Sequence, residues 1–169
     1  MVHSVELVFD QDTEAAVRHI WDGLRDTGIP SQAPASRPHT TLTVAERIDA
    51  EVDSLLASLG ERFPFPCRIG APVFFGRAKA VLARLVVPTT ELLEVHAEVH
   101  RLCLPHLSPG PMPNAVPGQW TAHITMARRV VPGQMGRAIR IAGKPTEIVG
   151  SVIGLRRWDG NKKLEYPIS

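Results

Sequence analysis

Two short stretches of this sequence place an imidazole two residues before a hydroxyl: Arg37-Pro38-His39-Thr40-Thr41-Leu42-Thr43 and Thr121-Ala122-His123-Ile124-Thr125-Met126-Ala127. On an extended strand, side chains alternate between faces, so His39, Thr41 and Thr43 share one face, and Thr121, His123 and Thr125 share one face of the second stretch. The opposite faces, Thr40, Leu42 and Val44 in one case and Trp120, Ala122, Ile124 and Met126 in the other, are suited to a core. Each strand thus offers an imidazole beside a hydroxyl on an apolar backing. Imidazole titrates near pH 6.5 and serves as base or acid according to its neighbours. Threonine hydroxyls can donate to phosphoryl oxygens. Displacement at phosphorus needs a base on the attacking oxygen, an acid on the leaving oxygen and donors for the equatorial oxygens. Two such half-sites facing one another meet all three needs.

With seven histidines in 169 residues, chance supplies roughly one His-x-[Ser/Thr] match. A third match, His106-Leu107-Ser108, falls in a proline-rich stretch with no strand around it and is set aside. The other two gain weight from context: both lie in apolar strands, each is followed by a helix of the same stripe spacing, and one falls in each half of the chain.

The elements that must position them are legible from periodicity. Val17, Ile20, Trp21 and Leu24, with Asp12 or Thr13 as cap and Gly28 as stop, predict one helix. Val52, Leu55, Leu56 and Leu59, from Asp49 to Gly60, predict a second, and Met135, Ala138, Ile139 and Ala142 before Gly143 another. A helix over residues 90–103 carries Leu92, Leu93, His96, Val99, Leu102 and Cys103 on one side. Strands are expected over residues 3–9, 39–44, 66–75, 80–87, 120–129, 146–158 and 164–168, so strands alternate with helices throughout. The order repeats coarsely about residue 88, which predicts one domain over residues 1–169 made of halves 1–88 and 89–169. Residues 104–119 contain Pro105, Pro109, Pro111, Pro113 and Pro117. No helix or central strand tolerates that density, so a long loop is expected, placed where it could cover a site.

Composition excludes several classes. Hydrophobic residues make up 44% and charged residues 21%, which suits a globular chain and not a disordered one. No apolar run approaches the roughly 20 residues of a membrane span. The N-terminus has no secretory pattern, so a cytoplasmic location without membrane association is expected. A net charge of +2 is too balanced for tracking long nucleic acid, and favours a short substrate. Cys67 and Cys103 have no metal-ligand spacing and read as buried hydrophobes. His96 and His100 are spaced i, i+4 and could meet His106, but the intervening glutamate, Glu98, is misplaced for a zinc-protease helix. No phosphate-binding glycine loop, dinucleotide fingerprint or Lys-x-Asp-Gly of nucleotidyl-transferring ligases is present.

The paired strands PHTTL and AHITMAR, one in each half of a chain of this size, resemble the 2H phosphoesterase superfamily, which includes the 2′-5′ RNA ligase and RNA cyclic phosphodiesterase group. The resemblance implies an α+β, bilobal, pseudo-duplicated fold, with two antiparallel sheets flanking a central cleft and helices on the outside. It implies chemistry on 2′,3′-cyclic phosphates or 2′-5′ linkages with no metal or other cofactor. Carried over by position, His39 and His123 are the catalytic pair, and Thr41 and Thr125 hold the phosphate. One histidine activates water and the other protonates the leaving ribose oxygen; which does which stays open. Arg37, Arg128 and Arg129 are further phosphate-binding candidates. Strict alternation puts Arg37 and Arg129 on the histidine face and Arg128 opposite, whereas the resemblance favours Arg128. Phe74, Phe75, Trp158 and Tyr166 are candidates for stacking on a base. The expected activity is hydrolysis of a 2′,3′-cyclic phosphate, on an RNA end or a small nucleotide, to a 2′-phosphate by a monomer. The alternatives are a non-catalytic module that binds phosphorylated RNA ends or nucleotides, and a 2′-5′ linkage ligase or phosphodiesterase.

Overall fold

The first strand, β1 (His3–Phe9), is buried at all seven positions, which an alternating strand achieves only when both of its faces are covered. Val5, Leu7 and Phe9 enter the hydrophobic core. Ser4 and Glu6, on the other face, are 5% and 3% exposed. A buried carboxylate needs partners, and those partners turn out to build the site. The computed structural model describes residues 1–168.

After β1 come α1 (Gln11–Asp26), β2 (His39–Ala45), β3 (Arg47–Ile48), α2 (Val52–Leu56), β4 (Phe65–Phe75), β5 (Ala80–Val86) and α3 (Thr90–Cys103). The chain continues through β6 (Leu107–Ser108), β7 (His123–Val130), α4 (Met135–Ala142), β8 (Ile148–Asp159) and β9 (Leu164–Pro167). The fold is α+β, and all named strand pairs are antiparallel. The main sheet runs β2-β1-β8-β4-β5-β7, with β9 also on β8, and β3 pairs with β6 in a separate ribbon. Strand β8 joins the two lobes. Its residues 148–152 pair with β4, and its residues 152–159 pair with β1. The two sheets expected from the resemblance are thus the two ends of one path that share a twelve-residue strand.

The helices follow their stripes, with adjustments at the ends. Helix α1 buries Val17, Ile20, Trp21 and Leu24 as expected, but its cap is Asp10, whose carboxylate accepts from the backbone of Thr13. The same carboxylate accepts from the Ser151 amide at 2.7 Å, which ties the helix start to β8. Gly150 permits that approach, since a Cβ there would collide with Thr13 Oγ1. Helix α2 ends at Leu56 and continues as a 3₁₀ turn, so Leu59 is buried outside the α-helix. Leu55, Leu93 and Ile139, each placed on an apolar stripe, are exposed, whereas Val95 is fully buried. The 104–119 segment is less bare than its prolines suggest. Leu107–Ser108 forms β6 against β3, and short 3₁₀ turns occupy Leu104–His106 and Pro113–Ala115.

Arg84, in the middle of β5, is 0% exposed. Its guanidinium donates to the carbonyls of Gly70, Ala142 (2.8 Å), Pro145 (2.9 Å) and Thr146 (2.9 Å). One side chain therefore ties β4, the end of α4 and the approach to β8 together, and burial pulls its pKa down from the usual arginine value. Arg84→Met should leave four carbonyls without a donor and lower unfolding stability by about 3 kcal/mol or more in urea titration; a loss below about 1 kcal/mol would show that the carbonyls find other donors.

Candidate active site

His39 and His123 open their strands in the same way. Nδ1 of His39 lies 2.8 Å from the Arg37 carbonyl, and Nδ1 of His123 lies 2.6 Å from the Thr121 carbonyl. A carbonyl can only accept, so the proton sits on Nδ1 and each neutral ring keeps the Nε2 lone pair for a reacting group. Both rings line one cavity of about 340 Å³ together with Thr41 and Thr125. Phe75 lines the same cavity and packs against the His123 ring, with centroids 4.8 Å apart. Of the four aromatic candidates, it is the one that borders this cavity.

The two histidines have different surroundings. His39 Nε2 lies 3.6 Å from Oε1 of the buried Glu6. That carboxylate also accepts from Ser4 Oγ at 2.6 Å and from Arg156 Nε at 2.7 Å. Arg156 in turn reaches Glu165 at 2.7 Å, and its Nη2 stands 3.4 Å from His39 Nδ1. His123 has no carboxylate neighbour among the described residues. Burial, with smaller contributions from His39 and Arg128, pulls its pKa below the ordinary imidazole value, although the Thr121 carbonyl opposes the shift. Glu6 and Arg156 escape a reading of motifs because they are 150 residues apart in the chain; the one local signal is a glutamate inside an otherwise apolar first strand.

A bulge in each motif strand resets the alternation just past its threonine. On β2, Val5 pairs with Thr43 and Glu6 with Thr41, so two residues of β1 oppose three of β2. Thr43 accordingly turns to the core face with its hydroxyl unpartnered, and Val44 takes its place on the groove side. On β7, Leu82 pairs with Ala127 and Ala83 with Thr125. The face after Thr125 therefore belongs to Arg128, which lines the cavity, and not to Arg129. Arg129 sits at φ 55° and borders neither the cavity nor the groove beside it. Strict alternation misplaced Thr43, Arg128 and Arg129 for this single reason. Arg37 borders the neighbouring groove and not the cavity lined by the two histidines, and it is paired with Glu14.

The family model for the 2′-5′ RNA ligase superfamily matches residues 10–162. The chain belongs to that superfamily. This places it among the 2H phosphoesterases, as the two His-x-Thr strands imply. No curated protein gives a significant sequence match. Among solved structures, TT0787 of Thermus thermophilus is 18% identical and superposes with a TM-score of 0.61, over 100% of this chain and 96% of that one. Usb1 of Kluyveromyces marxianus is 10% identical with a TM-score of 0.53, over 98% and 97% of the two chains. A second structure of that Usb1 contains uridine monophosphate, and matches at 9% identity with a TM-score of 0.53 over 98% of both chains.

In this superfamily member the proline-rich segment forms one wall of the cavity through Asn114 and Gln119. It is fastened to β2, since the Met112 amide donates to the Val44 carbonyl at 2.9 Å. His96, at 2% exposure, completes the fastening: its Nε2 lies 2.8 Å from the Ala115 carbonyl and 3.1 Å from that of Leu42. Its ring stacks on Trp120 at 3.8 Å, and the Trp120 indole donates to the Thr41 carbonyl at 2.9 Å. His96 is thus an internal brace, while the Nδ1 of His100 is buried without a hydrogen-bond partner, and among the described residues no three potential metal ligands gather anywhere. Among the same residues, no helix is long and apolar enough to cross a membrane.

Burial holds the His96 pKa below its ordinary 6.5. An unfolded chain takes up a proton near that pH, whereas the folded chain resists it. The contribution to stability is therefore full above about pH 6.5 and is lost as pH falls through that value toward the lowered folded pKa. His96→Phe should destabilise the fold by about 2–4 kcal/mol through the two orphaned carbonyls, and should flatten the decline in melting temperature between about pH 7 and pH 5.5. An undiminished decline would assign the pH sensitivity elsewhere, with His123, whose pKa is also lowered, the next imidazole to test.

Proposed function

We propose that this chain is a phosphodiesterase that opens 2′,3′-cyclic phosphates, on an RNA end or a small nucleotide, to 2′-phosphates by metal-independent acid–base catalysis. One observation carries the reading: two His-x-Thr strands from different ends of the sheet line one cavity with both imidazoles and both threonines. The uridine monophosphate held by the Usb1 relative supports a nucleotide as occupant.

The asymmetry of the two rings supports a division of roles. His123 is the base: its lowered pKa keeps it neutral at neutral pH, ready to take a proton from water. His39 takes the part of the acid: its Nε2 stands 3.6 Å from the buried Glu6 carboxylate, a partner that His123 lacks. Water attacks phosphorus as His123 accepts its proton. The bond from phosphorus to O3′ breaks, His39 delivers its proton to O3′, and the phosphate stays on O2′. Thr41, Thr125 and Arg128 steady the non-bridging oxygens as charge builds on them. The superfamily name supports a second use of the same machinery, in which a 5′-hydroxyl replaces water and a 2′-5′ linkage results.

His39→Ala and His123→Ala should each lower turnover of a 2′,3′-cyclic nucleotide, measured with chelator present, by about 10²–10⁴-fold while circular dichroism is unchanged. Retained turnover in both would remove the acid–base pair, and full inhibition by chelator would remove the metal-independent route. Glu6→Gln should lower kcat more than it changes KM, with the acid limb of the kcat/KM profile, set by the lowered pKa of His123, still below about pH 6.5. A profile whose acid limb moves instead would exchange the two roles.

A further inference from the structure

We propose that the groove adjoining the catalytic cavity is a second nucleotide subsite, which takes the nucleotide preceding the cyclic phosphate and makes an RNA end of two or more nucleotides the preferred substrate. The inference rests on the phosphodiesterase reading above and names its substrate class.

The groove has about 790 Å³ and shares His39, Thr41 and Arg128 with the catalytic cavity, so anything in it is continuous with the reacting phosphate. The cavity itself, at about 340 Å³, lies near the lower end of the ~300–1,000 Å³ range of ligand sites.

The groove floor is two cross-strand rows on one face of the sheet. Thr41, Glu6 and Arg156 form the first, and Val44, Ser4, Trp158 and Glu165 form the second. The β2 bulge creates the second row by placing Val44 opposite Ser4, where unbroken pairing would put Thr43. Val2, Leu164 and Trp158 give this end an apolar lining suited to a planar base, and Val2 and Leu164 are 38% and 50% exposed. The Arg156 guanidinium lies 5.7 Å from the centre of the Trp158 ring and steadies it.

Charge in the groove is arranged for one backbone phosphate. Arg156 and Arg37 are offset by Glu6, Glu165 and Glu14. Lys163 and Arg128 also line the groove and make no salt bridge among the described residues. Arg128 lies beside the catalytic threonines, and Lys163 stands at the far rim in the turn before β9. A phosphodiester entering the groove from the catalytic cavity meets Arg128, and Lys163 adds positive charge to the same groove.

The test compares kcat/KM for cytidine 2′,3′-cyclic phosphate with that for an RNA trinucleotide ending in the same group. The wild-type ratio should favour the trinucleotide by at least about tenfold. Trp158→Ala should reduce the ratio by about tenfold and Lys163→Ala by about threefold, the latter effect shrinking as salt rises. Trp158→Phe keeps a stacking surface and should restore most of the ratio, which guards against a folding defect in the alanine variant. Equal kcat/KM for both substrates, or a ratio that survives both alanine substitutions, overturns the subsite while leaving the phosphodiesterase reading intact. If neither substrate turns over, that reading fails instead, and calorimetric binding of 3′-phosphorylated trinucleotide against cytidine 3′-phosphate decides the subsite. Preference for the trinucleotide that is lost in Trp158→Ala supports it, and equal affinities overturn it.

Discussion

The two motif strands lie at opposite ends of the sheet path, with β2 at one edge and β7 at the other, and the two histidines line one cavity only because those edges are brought together. Sheet hydrogen bonds cannot do this. Side chains and loops do, reciprocally. Trp120, just before β7, donates to the Thr41 carbonyl of β2. From the other lobe, Trp21 of α1 donates to the Thr125 carbonyl of β7 at 3.0 Å, and Ser31, between α1 and β2, bonds the Met126 carbonyl at 3.0 Å. The Arg128 amide completes the seam by donating to the Pro30 carbonyl. Thr41 and Thr125 therefore each have the backbone carbonyl held by an indole from outside their own strand. Edge strands carry unpaired backbone groups that must be satisfied somehow. In this protein satisfying them and assembling the site are the same event.

Holding an edge strand from outside also explains how two similar motifs acquire different chemistry. His39 and His123 share strand position, carbonyl anchor and threonine spacing, so nothing local separates them. What differs is the strand alongside. β2 lies on β1, which carries Glu6 and through it Arg156 and Ser4. β7 lies on β5, whose neighbouring side chains bring no carboxylate, and Phe75 packs on the ring instead. A buried carboxylate beside one ring and an apolar wall beside the other give two like imidazoles different surroundings. The proline-rich segment belongs to the same scheme, because the brace of His96 on Leu42 and Ala115 fixes the cavity wall to the strand that carries His39.

Much of this was open to a reading of residue order. The helical stripes of α1 and α3, the strand boundaries, and the histidines and threonines on apolar-backed strands depend on periods of 3.6 and 2, which neighbours in the chain set among themselves. The resemblance carried by PHTTL and AHITMAR agrees with the family model over residues 10–162. On the two motif strands, the reading slipped by one residue in phase. A bulge is decided by register against a partner strand, and neither Thr43 nor Arg129 holds any sign of the partner that displaces it.

The sequence by itself determined which groups are available for catalysis and that each pair of imidazole and hydroxyl would share a strand face, because both follow from chain-local geometry. Tertiary structure alone decided that the two pairs meet and that Arg128 rather than Arg129 joins them. It also decided that Glu6 and Arg156 support His39, and that Trp158 and Lys163 stand beside the cleft. These are contacts between residues far apart in the chain, 150 positions in the case of Glu6 and Arg156. They arise from the closure of one sheet on its own edges and from two bulges that answer to their partner strands.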